Sequence, residues 1–151
     1  CRFVFAGTGP ARAEWVRRWG GRFEFLPPAP AATCAAHLLA ADVHLVSQRA
    51  EWTGIVVPSK FQAACALGRP TVFAGPPDSA VGRWLAAAEA GWLLPLNDAA
   101  AAARVAAEIR DPRRRADTSA AARRLGEREF TRAGNCGRLA TLVERIGEKR
   151  P

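Results

Sequence analysis

The segment Pro58-Ser59-Lys60 offers the clearest chemistry in the sequence. It follows the apolar run Ile55-Val56-Val57 and leads into a helical stretch from about Lys60 to Leu67, so Ser59 sits where a helix should begin. A helix N-terminus presents amides without intrahelical partners and a partial positive charge, which together suit a phosphate group. Lys60, one of only two lysines in an arginine-rich chain, adds a compact charge at that point. The same residues also fit a purely local role. Ser59-x-x-Gln62 matches a capping box, in which the two side chains satisfy the orphan amides themselves.

A second strand-to-helix turn, Gly75-Pro76-Pro77-Asp78-Ser79, is expected on the same edge of the fold. Asp78 or Ser79 can cap the helix that follows. A carboxylate beside a diphosphate repels it, so a functional Asp78 would face sugar hydroxyls or an acceptor instead. Gly7-Thr8-Gly9 invites a dinucleotide-binding assignment, yet Arg12 stands where that fingerprint needs a small residue. A plain glycine turn and a ligand contact both remain open there. His44 lies within an apolar run and reads as a packing residue. Spacing supports no Ser/His/Asp or Cys/His nucleophilic set. Cys1, Cys34, Cys65 and Cys136 are widely separated and, with His37 and His44, give no zinc-ligand pattern; reduced thiols in a cytoplasmic protein are expected.

These turns are positioned by alternating elements. Short apolar runs bounded by Gly and Pro predict strands over 2–6, 22–26, 42–47 and 70–74, with a last short one at Trp92-Leu93-Leu94. Helical stretches fall between them: one with Ala13, Trp15, Val16 and Trp19 on its apolar side, one at 35–41, then 60–67 and 79–90. Helices fill the remainder. Leu139, Leu142, Val143 and Ile146 form one apolar stripe, expected to pack back on its own domain or cross to another. The alternation predicts an α/β fold, a Rossmann-like parallel sheet with helices on both faces, in which ligands bind beyond the carboxyl ends of the strands.

A chain of 151 residues with 49% hydrophobic content can bury one sizeable core, so residues 1–151 are expected to form one domain. There is no apolar run of about 18 residues, the length a membrane-spanning helix needs, and no signal-peptide pattern. The sequence starts at Cys1 and contains no Met, which suggests a piece of a longer chain. A net charge of +8, carried almost wholly by arginine, favours anionic partners. Arg113-Arg114-Arg115, Arg123-Arg124, Arg128 and Arg132 are not interleaved with aromatics, as a single-strand-binding surface requires, so nucleic acid is not expected as a partner.

The segments Ala41–Ser47, Gly54–Lys60, Ala66–Val72 and Gly75–Ser79 closely resemble the C-terminal domain of family-4 retaining glycosyltransferases, in the bacterial branch that builds cell-surface polysaccharide. Phe3–Pro10, Ala90-Gly91-Trp92 and Asn97-Asp98 agree, so the resemblance runs to about Ile146. It implies the C-terminal half of a GT-B fold, lacking its first strand and the N-terminal acceptor domain. It further implies a nucleoside-diphosphate sugar as donor substrate, with no cofactor and no metal. By resemblance, Pro58, Ser59 and Lys60 hold the donor diphosphate, Gly7, Thr8 and Gly9 lie at the cleft, and Leu26 and Pro27 lie near the base. The sequence departs from the family at a glutamate pair, whose positions are Ile55 and Ala63 here, and the usual phosphate-gripping Arg/Lys pair would lie upstream of Cys1.

The resulting expectation is the donor-binding domain of a glycosyltransferase acting on a lipid-linked or polysaccharide acceptor, cytoplasmic, at the inner membrane face where the acceptor is lipid-linked. Its partners would be the nucleotide-sugar donor, its own N-terminal domain and the membrane surface; alone it should bind nucleotide and transfer nothing. A sugar-nucleotide epimerase of the same fold and a non-enzymatic basic nucleic-acid-binding module are the alternatives.

Overall fold

A computed structural model describes residues 1–147. Its elements run β1 (Val4–Ala6), α1 (Arg12–Trp19), β2 (Glu24–Leu26), α2 (Cys34–Leu39), β3 (His44–Ser47), α3 (Ser59–Ala66), β4 (Thr71–Ala74), α4 (Ala80–Ala88), β5 (Gly91–Leu93), α5 (Ala99–Arg110), α6 (Pro112–Glu129) and α7 (Arg132–Gly147). All strand pairs are parallel, so the fold is mixed α/β with small parallel sheets flanked by helices, compatible with a Rossmann-like arrangement. β1, β2 and β3 start two residues later than the apolar runs do and β4 one, because a ladder forms only where a neighbour is in register, while β5 starts one residue earlier, at Gly91. They also form two ladders, β1-β2 and β3-β4-β5, where one sheet was expected. The chain divides correspondingly into two compact units, Cys1–Ala40 and the remainder from Ala41.

Within Cys1–Ala40 no residue is fully buried. So short a segment cannot enclose a core of its own, and aromatic edges and faces do the packing. Phe5 stands edge-on to Trp15 at 5.3 Å and stacks on Phe25 at 5.5 Å, while Phe23 bridges Phe3, Phe5 and Trp19.

From Ala41 onward the core is continuous. β4 is the central strand and all four of its residues are buried, as the middle of a covered parallel sheet requires. Gly91 lies so close to β4 that a Cβ would strike the Thr71 carbonyl; a side chain there would force β5 away. Above the sheet, Phe61 of α3, Phe73 of β4, Val81 and Leu85 of α4 and Leu125 of α6 form the heart of the core. The ring of Phe61 lies face to face with Trp84 at 6.0 Å, and Phe130 meets both rings edge-on. Helices α3 and α6 approach closely: a Cβ on Gly126 would come within 2.6 Å of the Cys65 carbonyl oxygen. Asp98 caps α5 through the Ala101 amide at 2.8 Å, and Asp111 caps α6, whose first residue is Pro112. At the far end of α6, a hydrogen bond from Arg128, helped by Arg138, holds the Glu129 carboxyl below its ordinary range.

Phe61→Ala is expected to cost about 3–5 kcal/mol in chemical denaturation, since it opens a cavity where three elements meet. Burial pushes the Cys65 thiol from 9.0 up to about 12. The unfolded chain ionises first, so this group leaves stability unchanged below about pH 9 and erodes it as pH rises from there toward 12. Iodoacetamide at pH 8 should label the exposed Cys1, Cys34 and Cys136 in the native protein and reach Cys65 only after denaturation. Labelling of native Cys65 at the rate of the exposed thiols would contradict this packing.

Candidate functional site

The residues singled out in the sequence divide between the two units. In the first, Gly7-Thr8-Gly9 follows β1, Leu26 ends β2 and Pro27 follows it, so all five lie at the carboxyl edge of one ladder. The Gly7 amide donates to the Leu26 carbonyl at 3.2 Å, and Gly7 has φ of +134°, a conformation in which a side chain would be strained. The glycine turn thus has a structural reason to exist. Thr8, Gly9 and Pro27 are exposed, while Gly7 and Leu26 are half-buried.

In the second unit, Pro58-Ser59-Lys60 follows β3 and Gly75–Ser79 follows β4. These strands pair directly, Ser47 opposite Ala74, so both turns lie at the carboxyl edge of one sheet, as expected. The two helix starts behave differently. At α4, Ser79 is buried, donates to the Pro76 carbonyl at 2.7 Å and accepts from the Gly82 amide at 3.2 Å. Its hydroxyl is committed to the cap. At α3 the expected capping box does not form. Pro58 takes the N-cap position, its carbonyl accepting from the Phe61 amide at 3.0 Å, and Ser59 is already the first helical residue. From there its hydroxyl is out of reach of the amide that a capping box joins, and α3 has no side-chain cap. Ser59 and Lys60 are exposed at this open end.

Two features of this edge were not legible as motifs. A cavity of about 260 Å³ is lined by Thr53, Gly54, Ile55, Val56, Val57, Ala80 and Arg83, joining the loop after β3 to the first turn of α4. Arg83 sits one turn after the Ser79 cap and its guanidinium donates to the Asp78 carbonyl, placing a second cation near the turn. The Asp78 side chain is exposed. Ile55, at one of the glutamate positions of the resembling family, is 75% exposed. The signal for Arg83 was its placement four residues after a cap, which a search for anion ligands at helix starts could have found.

A larger cavity of about 460 Å³ lies elsewhere, between α4, β5, α5 and α6. Its lining includes Glu89, Glu108 and Asp117 as well as Arg114 and Arg124. Glu108 accepts from the Trp92 indole at 2.9 Å and from Arg114 at 3.3 Å, so it braces β5 against α5 and α6. Three carboxylates make this groove a poor host for a diphosphate, and the smaller cavity at the sheet edge is the better candidate despite its size.

His44 is half-buried at the start of β3, opposite Thr71, in keeping with a packing role. Among the described residues no group of three or more His, Cys, Asp or Glu is placed to hold a metal ion, and no helix is long and apolar enough to cross a membrane. No family model matches the chain, and no curated protein matches it significantly.

The two serines should therefore behave oppositely. Ser79→Ala is expected to destabilise by about 1–2 kcal/mol, and Ser59→Ala to stay within about 0.5 kcal/mol of the parent. Thermal denaturation of both variants checks this; a larger loss at Ser59 would show that it caps α3 after all.

Proposed function

We propose that this chain binds the diphosphate of a nucleoside-diphosphate sugar at the start of α3, as the donor-binding part of a glycosyltransferase. The observation that carries the proposal is the uncapped N-terminus of α3, with Lys60 exposed beside it, at the carboxyl edge of a parallel sheet. Free amides and one lysine form a receptor for a phosphate, and they sit where parallel α/β sheets bind ligands. The resemblance of residues 41–79 to family-4 glycosyltransferases supports the same assignment independently of the geometry.

In such a transfer the sugar leaves the diphosphate, and negative charge grows on the leaving group. Lys60 and the α3 amides would meet that charge before it forms, which lowers the barrier without reorganising solvent. Arg83 supplies a second cation from the α4 turn, and the aliphatic cavity beside it can take an uncharged part of the donor. Ser79 is left as the fixed point of that turn rather than a ligand contact. The acceptor in this scheme is lipid-linked or a growing polysaccharide, and its catalytic groups would come from an N-terminal domain.

Lys60→Ala is expected to weaken UDP binding by about 1–3 kcal/mol while leaving uridine binding nearly unchanged, measured by calorimetry. Equal losses for uridine and UDP would show that Lys60 is not a phosphate ligand. An oligonucleotide binding more tightly than UDP, with steep salt dependence, would favour a nucleic-acid module instead.

A further inference from the structure

Every residue of α7 from Arg132 to Gly147 is exposed, so its apolar stripe does not pack back on the described residues, and nothing in the structure shows what meets it. The cavity of about 260 Å³ at the carboxyl edge of the sheet is more informative, because its walls restrict what it can hold. The loop that frames it is fixed without a ligand. Gln48, only 6% exposed just after β3, donates through Nε2 to the Trp52 carbonyl at 3.2 Å. The Ile55 and Val56 amides donate to the same oxygen at 3.1 and 3.2 Å. Gly54 makes the tight turn between them with φ of +80°, a conformation that a side chain would strain.

Most of the lining is aliphatic. Ile55, Val56 and Val57 are exposed, and their side chains neither donate nor accept hydrogen bonds. Thr53 is the exception. It is half-buried in the cavity wall, and its hydroxyl oxygen is buried with no hydrogen-bond partner among the described residues. A buried hydroxyl left unpaired has lost its hydration and gained nothing in return, so it calls for a partner. A group that enters the cavity can supply one. Arg83, the other polar side chain of the lining, is tied to the Asp78 carbonyl and serves the diphosphate in the scheme above.

We propose that this cavity selects a deoxy sugar, with Thr53 as the residue that determines specificity. The Thr53 hydroxyl pairs with one ring hydroxyl, and the aliphatic wall meets a methyl group where a common hexose carries a hydroxymethyl. The selection rests on the reading of the α3 start as the diphosphate site. Val57 directly precedes the Pro58 cap, so the sugar linked to that diphosphate falls beside this loop. An ordinary hexose presses a second hydroxyl against Ile55, Val56 or Val57, where it loses water and finds no partner. A methyl group in the same place buries apolar surface instead.

Calorimetry with matched pairs tests this: UDP-galactose against UDP-6-deoxygalactose, and UDP-glucose against UDP-6-deoxyglucose, with UDP as the reference. The deoxy sugar that fits should bind roughly tenfold tighter than its parent, within the hundredfold or so that an apolar pocket imposes on an added hydroxyl. Thr53→Val keeps the branched shape and removes the hydroxyl. It should lower affinity for that deoxy sugar about tenfold and leave UDP unchanged. In the ligand-free chain it should hold or raise the melting temperature, because an unpaired buried hydroxyl is gone. A lower melting temperature would show that the hydroxyl is already paired in the free protein, and overturns the proposal. So do parent sugars that bind as tightly as both deoxy sugars, and a Thr53→Val loss that is equal for UDP. UDP binding that depends on Lys60 without any preference between sugars overturns the selection alone. Absent UDP binding removes the diphosphate site and the selection with it.

Discussion

The burial of Phe61 fixes most of what matters in the larger unit. It is the third residue of α3, next to Lys60, and its ring is wholly enclosed between Trp84 of α4 and Phe130 at the end of α6. A helix of eight residues is marginal by propensity and holds its shape only through such tertiary contacts. Because one side of the first turn is locked into the core, Ser59 and Lys60 beside it have nowhere to go but outward. The exposed cation and the uncapped amides are the other face of a hydrophobic anchor.

The same anchor depends on close approaches elsewhere. Gly126 lets α6 lie against the backbone of α3 near Cys65, and Gly91 lets β5 lie against β4. With α6 close, Leu125 and Ala122 complete the core under Phe61, and Phe130 reaches the Trp84 ring at 4.9 Å. The two turns at the sheet edge then differ by design of their first residues. Ser79 closes its helix start internally, while Pro58, which has no side-chain acceptor to offer, leaves the other open. A turn that is closed supplies rigidity, and one that is open supplies donors for an anion. Their adjacency at paired strands gives the candidate site both.

Much of this was legible in the sequence, for identifiable reasons. Gly and Pro bound each apolar run, so the order and type of the elements followed from local pattern alone, as did the parallel alternation. The common edge of the Pro58 and Gly75 turns followed from it. What local pattern does not hold is pairing. The division of the strands into two ladders depends on which edges meet, and nothing in the runs at Val4 or His44 states it. The cap of α3 was misassigned because Ser59 and Pro58 both suit a helix start, and only backbone geometry decides between them. Phe61 could not be recognised as the anchor, since its partners lie more than twenty residues away in Trp84 and further still in Phe130. The α7 stripe was plain from its spacing, whereas its exposure was not, because exposure depends on what is absent from its surroundings.

Backbone amide shifts report whether the α3 start receives a diphosphate. In a titration of the isotopically labelled chain with UDP, the amides of Ser59 and Lys60 should move together and saturate at one concentration, with uridine leaving them in place. Saturable shifts confined to the groove near Trp92 and Glu108, with Ser59 and Lys60 unmoved, would contradict the account.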